Sequence, residues 1–278
     1  MLFFLNMSLS AIIKAAEDQY KQILEDFFIS VYDEKSLPSH GLDHHRRVWE
    51  YAKEILELLP SDNLRFSVLP SRLIVACYLH DIGMSVDHGE RHGRQSRVFC
   101  TMFLAKNNLP ESTWEDVLEA IENHDKKEYE DKSENNDLLT ILAVSDDLDA
   151  FGFIGIYRYI EIYLIRRTDP MKIGYLIREN AETRFENFEE TFSVLRPLIA
   201  KHKQRFKIID NFFSKYNEQL TSYRFGTNNP TGYCGVLELI LNMVINNAEL
   251  KEFLEEKSRF RDDLVITWFI EGLKHELL

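Results

Sequence analysis

Apolar residues recur at three- and four-residue spacing along almost the whole chain, and little interrupts them. Only 11 Gly and 7 Pro are spread through 278 residues. That is too few breakers for a fold of many short strands and turns, so the expected class is all-α. The pattern predicts helices over 10–31, 43–59, 92–107, 137–150 and 153–167. A shorter apolar run from Ser71 to Leu79 leads without a polar break into His80-Asp81, and Gly83 reads as its C-terminal stop. Ser112, with Glu115 three residues later, has the form of a capping box that opens a helix to about His124. Residues 36–41, 84–91 and 125–136 read as loops, and Pro197 and the turn-like stretch 226–232 divide the remainder into further amphipathic segments.

A chain of this length can bury a sizeable core. There is no internal repeat and no low-complexity linker. The expected division is a domain over 1–168, which holds every chemically suggestive residue, and a helical extension over 169–278 packed on it. Whether that extension covers the site or builds a homo-oligomer stays open. The formal net charge is −13, and no Lys/Arg-rich run offsets it. A nucleic-acid polymer is therefore not an expected partner. A small phosphorylated substrate remains compatible, because a bound metal outweighs global charge locally.

No apolar run is long enough to span a bilayer, so no membrane partner is expected. The apolar start Met1–Met7 is short and has no basic lead. It reads as a helix lead-in, or as an upstream start with Met7 the true one, rather than a signal peptide. Cys77, Cys100 and Cys234 have no metal or redox spacing. A low, odd count fits a reducing compartment, and the cytoplasm is the expected location.

Four places set His or Asp into apolar helical patterns: His44-His45, His80-Asp81, His124-Asp125 and Ser145-Asp146-Asp147-Leu148-Asp149. The last is the most telling. Leu139, Leu142, Ala143 and Asp146 share one helical face, so Asp146 points toward a core, while Asp147 lies about 100° away. A buried carboxylate needs a cation, a hydrogen-bond network or a metal. His80-Asp81 poses the same problem, and imidazole with carboxylate suits divalent transition metals. A lone buried His or Asp is more often a satisfied core residue, and His124 taken alone is such a case, at a helix end. The joint pattern argues otherwise.

That pattern resembles the HD superfamily of metal-dependent phosphohydrolases. The resemblance rests on His40-Gly41-Leu42-Asp43-His44-His45-Arg46-Arg47-Val48, on His80-Asp81-Ile82-Gly83 and on Asp146. The stretch Leu148-Asp149-Ala150-Phe151-Gly152-Phe153-Ile154-Gly155-Ile156-Tyr157-Arg158 is similar to that of small bacterial HD hydrolases. The likeness covers roughly 36–165 and implies an HD-domain helical bundle.

It also implies metal ligands at His44, His80, Asp81 and Asp146, for a divalent ion among Mn, Mg, Fe, Co, Ni and Zn. His44 takes the first place because the family sets its His three residues before an Arg-Val pair, here Arg47-Val48. Helical phase decides less: His44 shares a face with Val48, Tyr51 and Ile55, but His45 shares one with Val48 and Ala52. His92 and His124 are candidates for a second metal or for the substrate phosphate. Arg47 is placed to clamp a phosphate or to pair with Asp149, and Arg158 is a similar substrate-binding candidate. Asp87, His88 and Arg91 in the neighbouring loop read as solvated. Asp81, His92, His124 and Arg47 form the implied catalytic set.

Some HD nucleotidases carry an acid/base Glu three residues after the His-Asp pair, where this chain has Met84. The implied activity is hydrolysis of a phosphoester in a small phosphorylated molecule, a nucleotide in the first place, by metal-activated water. The alternatives are a non-catalytic HD module that senses a nucleotide or metal, and an HD oxygenase with a di-iron site.

Overall fold

The computed structural model describes residues 8–32, 37–59, 67–89, 91–126, 138–226, 229–246, 250–255 and 262–277. Among these residues there are helices and no strand, and the fold is all-α. The chain divides into two compact units. One comprises 1–34, 40–148 and 191–195, and the other 35–39, 149–190 and 196–278.

The first unit is organised around the apolar run seen in the sequence. Helix α1 (Leu9–Val31) starts at Ser8, whose Oγ accepts the Ala11 N–H at 3.3 Å. It buries Ile12, Ala16, Tyr20, Leu24 and Phe27 at helical spacing. Helix α2 (Leu42–Leu58) follows the extended Gly41. Helix α3 (Leu69–Leu79) has Pro in its first turn, where a missing N–H costs nothing. Both α1 and α2 pack on α3, and so does α5 (Glu115–Asn123). Residues Leu73 to Leu79 are all 0% exposed, as an apolar helix surrounded on every side must be. Its C-terminal end therefore opens into the interior of the unit, at His80-Asp81.

Helix α4 (His92–Lys106) packs on α5 and on the short 3₁₀ turn Ile82–Ser85. Gly83 belongs to that turn, two residues beyond Asp81, and has no left-handed backbone angle. It is not a helix stop. A Cβ there would lie 2.2 Å from the His92 carbonyl oxygen and 2.6 Å from the Ser96 nitrogen. Gly83 instead donates its N–H to Ser96 Oγ at 2.9 Å. Gly93 plays the same part against α5, where a Cβ would lie 2.6 Å from the Glu122 carbonyl oxygen. The capping box at Ser112 does not form. Residues Glu111–Thr113 make a 3₁₀ turn, with Thr113 Oγ1 donating to the Pro110 carbonyl, and α5 begins at Glu115 after Trp114. Helix α6 (Leu138–Asp149) is buried from Thr140 to its end, so its aspartates are buried on more than one face.

The second unit contains α7 (Gly152–Ile165), α8 (Pro170–Thr191), α9 (Arg196–Leu220), α10 (Gly232–Asn246), α11 (Leu250–Glu255) and α12 (Leu264–Leu277). Helix α7 packs with α9, α10 and α12. For that reason the units divide at Leu148/Asp149, and the boundary expected at 168/169 falls inside the second. The glycine-rich stretch that opens α7 has a structural explanation. Gly152 sits at φ +76°, and a Cβ on Gly155 would lie 2.1 Å from the Ala150 carbonyl oxygen. Glu276 of α12 accepts the Ile154 N–H at 2.8 Å and so caps α7. Phe151, Phe185 and Phe206 pack together, with the last two stacked at 4.8 Å.

The three cysteines are buried and free. The expected lead-in Met1–Met7, residues 127–136 of the loop expected over 125–136, and 227–228 of the turn-like stretch lie outside the described residues. No helix among the described residues is long and apolar enough to cross a membrane.

Two measurements test this packing. Gly83→Ala forces α4 away from the turn, and the expected cost is about 1–3 kcal/mol in urea unfolding. Gly89→Ala meets only Asp87 Oδ1 at 3.1 Å and is expected to cost less. In the second unit, burial, with the charges of Arg205 and Lys201, pushes His202 down to about 2. A base depressed in the native state binds its proton in the unfolded chain first. It thus contributes stability above its unfolded pKa, near 6.5, that is lost as pH falls. The stability difference between wild type and His202→Gln should shrink by up to ~1.4 kcal/mol per pH unit below that point. A difference independent of pH would refute the assignment.

Candidate metal centre

The end of α3 brings His80 and Asp81 into the interior, and four other elements bring side chains to them. His44 lies in the first turn of α2, Asp146 near the end of α6, His92 at the first position of α4 and His124 just beyond α5. All six side chains are buried. They form two groups that share one residue.

His44, His80, Asp81 and Asp146 each offer one ligand atom, all within 4.8 Å of one another. His44 Nε2 lies 3.2 Å from His80 Nε2, 3.6 Å from Asp81 Oδ2 and 3.5 Å from Asp146 Oδ1. His80 Nε2 lies 3.5 Å from Asp81 Oδ2 and 3.8 Å from Asp146 Oδ1. Asp81, His92 and His124 form the second group. Here the other carboxylate oxygen is used: Asp81 Oδ1 is 3.3 Å from His92 Nε2 and 3.0 Å from His124 Nε2. Asp81 thus turns one oxygen to each group.

The ring orientations follow from backbone carbonyls. His80 Nδ1 meets the Cys77 carbonyl at 2.9 Å, His92 Nδ1 meets that of Gly89 at 2.6 Å and His124 Nδ1 meets that of Ile121 at 2.7 Å. Each pairing is to the residue three earlier. A carbonyl only accepts, so each Nδ1 carries a proton and each ring turns its Nε2 inward, a lone pair wherever the ring is neutral. For His80 and His124 the acceptors are carbonyls of the last helical turn, which have no helical partner. The interior of the cluster is therefore rich in acceptors: imidazole lone pairs and carboxylate oxygens face one another. Protons or cations reconcile such a set, and two imidazoles with two carboxylates match the donor chemistry of a divalent transition ion.

The charges are consistent with this. Burial alone would raise the Asp81 carboxyl, but the charge of His80 and the hydrogen bonds of His124 and His44 hold it well below the carboxylate range. Burial lowers His80 despite the pull of Asp81 and Asp146. Burial opposes the charged form of His124 too, but its hydrogen bond to Asp81 and that residue's charge outweigh this and raise it to about 9.

His45, the rival of His44 for the first ligand place, points elsewhere. Its Nδ1 meets the Cys77 carbonyl at 3.1 Å, and its ring packs on Phe28 at 4.6 Å. Burial first, then the charges of His80 and His44, lower its pKa well below the usual value. Arg47 lies one turn after His44 and is half-buried. Arg158 lies in the second unit, where its guanidinium donates to Asp149 Oδ2 at 3.0 Å. Arg91 pairs with Asp87 at 3.0 Å, and Asp87 accepts the Gly89 N–H, so this loop holds the carbonyl that orients His92.

Two residues at the site had no role assigned from the sequence. His40 is 6% exposed, with Nε2 3.8 Å from Asp81 Oδ2. Asp125, 42% exposed at its side chain, reaches to 4.0 Å from His92 Nε2. The signal for His40 was its place in the same motif as His44, in the turn Pro38–His40 just before the extended Gly41 that opens α2.

Residues 41–150 match the family model of the HD domain. Ribonuclease Y of Mycoplasma mycoides subsp. mycoides SC is 28% identical over 130 residues, 46% of this chain and 24% of that protein. The match spans about a quarter of that relative's length. No solved structure matches the chain. Both ligand groups fall between 41 and 150, and that span of the chain is an HD domain of the metal-dependent phosphohydrolase superfamily.

Proposed function

We propose that the two groups hold a pair of divalent cations that share Asp81, and that the site hydrolyses a phosphoester of a small phosphorylated molecule, in the first place a nucleotide. The observation that carries this reading is the division of Asp81 between the groups, Oδ2 toward His44 and His80, Oδ1 toward His92 and His124. A divalent cation held there lowers the pKa of a bound water and polarises a phosphoryl oxygen.

The chain supplies the rest. Burial of all six ligands keeps bulk water from screening charge. Met84 is buried and its thioether carries no proton, so the place of the acid/base Glu of some HD nucleotidases is empty of that chemistry. His40 Nε2, on the Asp81 Oδ2 side, is the group placed to give a proton to the leaving oxygen. Arg47 is the phosphate contact on the same helix as His44.

A second reading, cleavage of an RNA phosphodiester, has in its favour the likeness to Ribonuclease Y. The net charge of −13 weighs against a polyanion as substrate.

The deciding experiment compares wild type with Asp146→Asn for bound manganese and for hydrolysis of an aryl phosphate, a nucleotide panel and a short RNA. The variant should bind manganese at least about 100-fold more weakly, since even outer-shell changes cost 10–100-fold, and should lose activity with it. Hydrolysis that persists without metal would reject the reading, and cleavage of the RNA alone would select the second one. Metal uptake should also depend on pH. His124, raised to about 9, must give up a proton before its Nε2 can bind a cation. Apparent affinity should climb by up to about tenfold per pH unit toward that value and then level off, with proton release visible by calorimetry in buffers of different ionisation enthalpy.

A further inference from the structure

We propose that His45 is a positioning residue for the first ion site, setting the separation of His44 and His80 through a shared backbone carbonyl. The proposal rests on the reading that His44, His80, Asp81 and Asp146 hold a cation.

The Cys77 carbonyl lies in the last turn of α3, where helical N–H partners run out. It accepts two imidazole donors instead. One is Nδ1 of His80, from the same chain segment, at 2.9 Å, and the other is Nδ1 of His45, from α2, at 3.1 Å. The two rings lie 4.9 Å apart. A carbonyl oxygen has two lone pairs, so both bonds can form at once. His44 and His45 are consecutive on α2 and point about 100° apart. One reaches the ligand group and the other pins the same turn of α2 to the end of α3. The contact between His44 Nε2 and His80 Nε2, 3.2 Å, is thereby tied to a hydrogen bond one residue away.

The other face of His45 argues against a packing role. Its Nε2 is sealed from solvent and has no hydrogen-bond partner among the described residues. A buried acceptor left unpaired is costly, and an aliphatic side chain of similar size against Phe28 would avoid that cost. Packing alone would favour such a replacement. The imidazole is explained by what Nδ1 does.

The test uses the full-length chain, His45→Leu and His45→Asn. Mn²⁺ affinity is read from the electron paramagnetic resonance signal of the free ion, and the stability of each metal-free protein from its thermal midpoint. Leu fills the space and removes the donor, whereas the Asn amide nitrogen restores a donor near the Nδ1 position. The expected result is a His45→Leu protein at least as stable as wild type that binds Mn²⁺ about 10–100-fold more weakly, with most of the affinity regained in His45→Asn.

Wild-type affinity in His45→Leu would overturn the proposal. So would equal losses in both variants, or losses that follow the thermal midpoints, since these mark a packing residue. If wild type itself takes up no Mn²⁺, the ion-site reading fails and this inference falls with it, an outcome visible in the wild-type protein alone.

Discussion

The burial of one carboxylate, Asp81, is the constraint on which the rest of the first unit depends. It is 4% exposed and faces imidazoles from α2, α4, the end of α5 and its own neighbour His80. An ionised carboxylate so placed is unstable unless positive charge or hydrogen-bond donors surround it. The surrounding helices are arranged to provide them. Helix α3 delivers the residue by being apolar on all sides and ending where it does. The close approaches at Gly83 and Gly93 bring α4 near enough for His92 to reach Oδ1.

The same end effects that terminate the helices also prepare the ligands. A helix leaves its last carbonyls without partners, and here imidazole Nδ1–H groups take them up at Cys77 and Ile121. Each such bond keeps a proton on Nδ1 and turns Nε2 inward. The site is thus assembled largely from unsatisfied backbone groups, with little call on other side chains. This explains how three histidines on different elements can present the same nitrogen in the same sense.

Much of this was legible in the sequence because the pattern was physical. The run Leu73–Leu79 announced a buried helix, and a His-Asp pair at its end had to be satisfied in the interior. The choice of His44 over His45 was not legible from phase, since both share faces with apolar residues. In the structure both are buried, and only the direction of each ring separates them: His44 faces His80 Nε2 and His45 the Cys77 carbonyl. Gly83 was read as a stop because sequence shows a glycine's freedom and not its neighbours. The space it leaves to His92 and Ser96 is a tertiary fact. The box at Ser112 failed because Pro110 and Thr113 favoured a tighter turn first. The Leu-Asp-Ala-x-Gly stretch looked like part of the site. In the structure its glycines serve the backbone that opens α7, and its Arg158 meets Asp149.

The chain carries a formal charge of −13, yet the centre it builds gathers imidazoles around two aspartates. The two scales answer different requirements. Net charge acts over about a Debye length through water, roughly 10 Å or less at ordinary salt, and governs which partners approach. Inside the cluster the side chains are buried, so the local balance of donors and acceptors decides what is held. Turned inward are Nε2 of His80 and His92 together with the Asp81 and Asp146 oxygens, and the hydrogen bond to Asp81 raises His124 to about 9. A cluster with more acceptors than donors is stable to the extent that cations complete it. The His and Asp groups gathered there could hold a metal ion, and binding one would add directly to the stability of the fold.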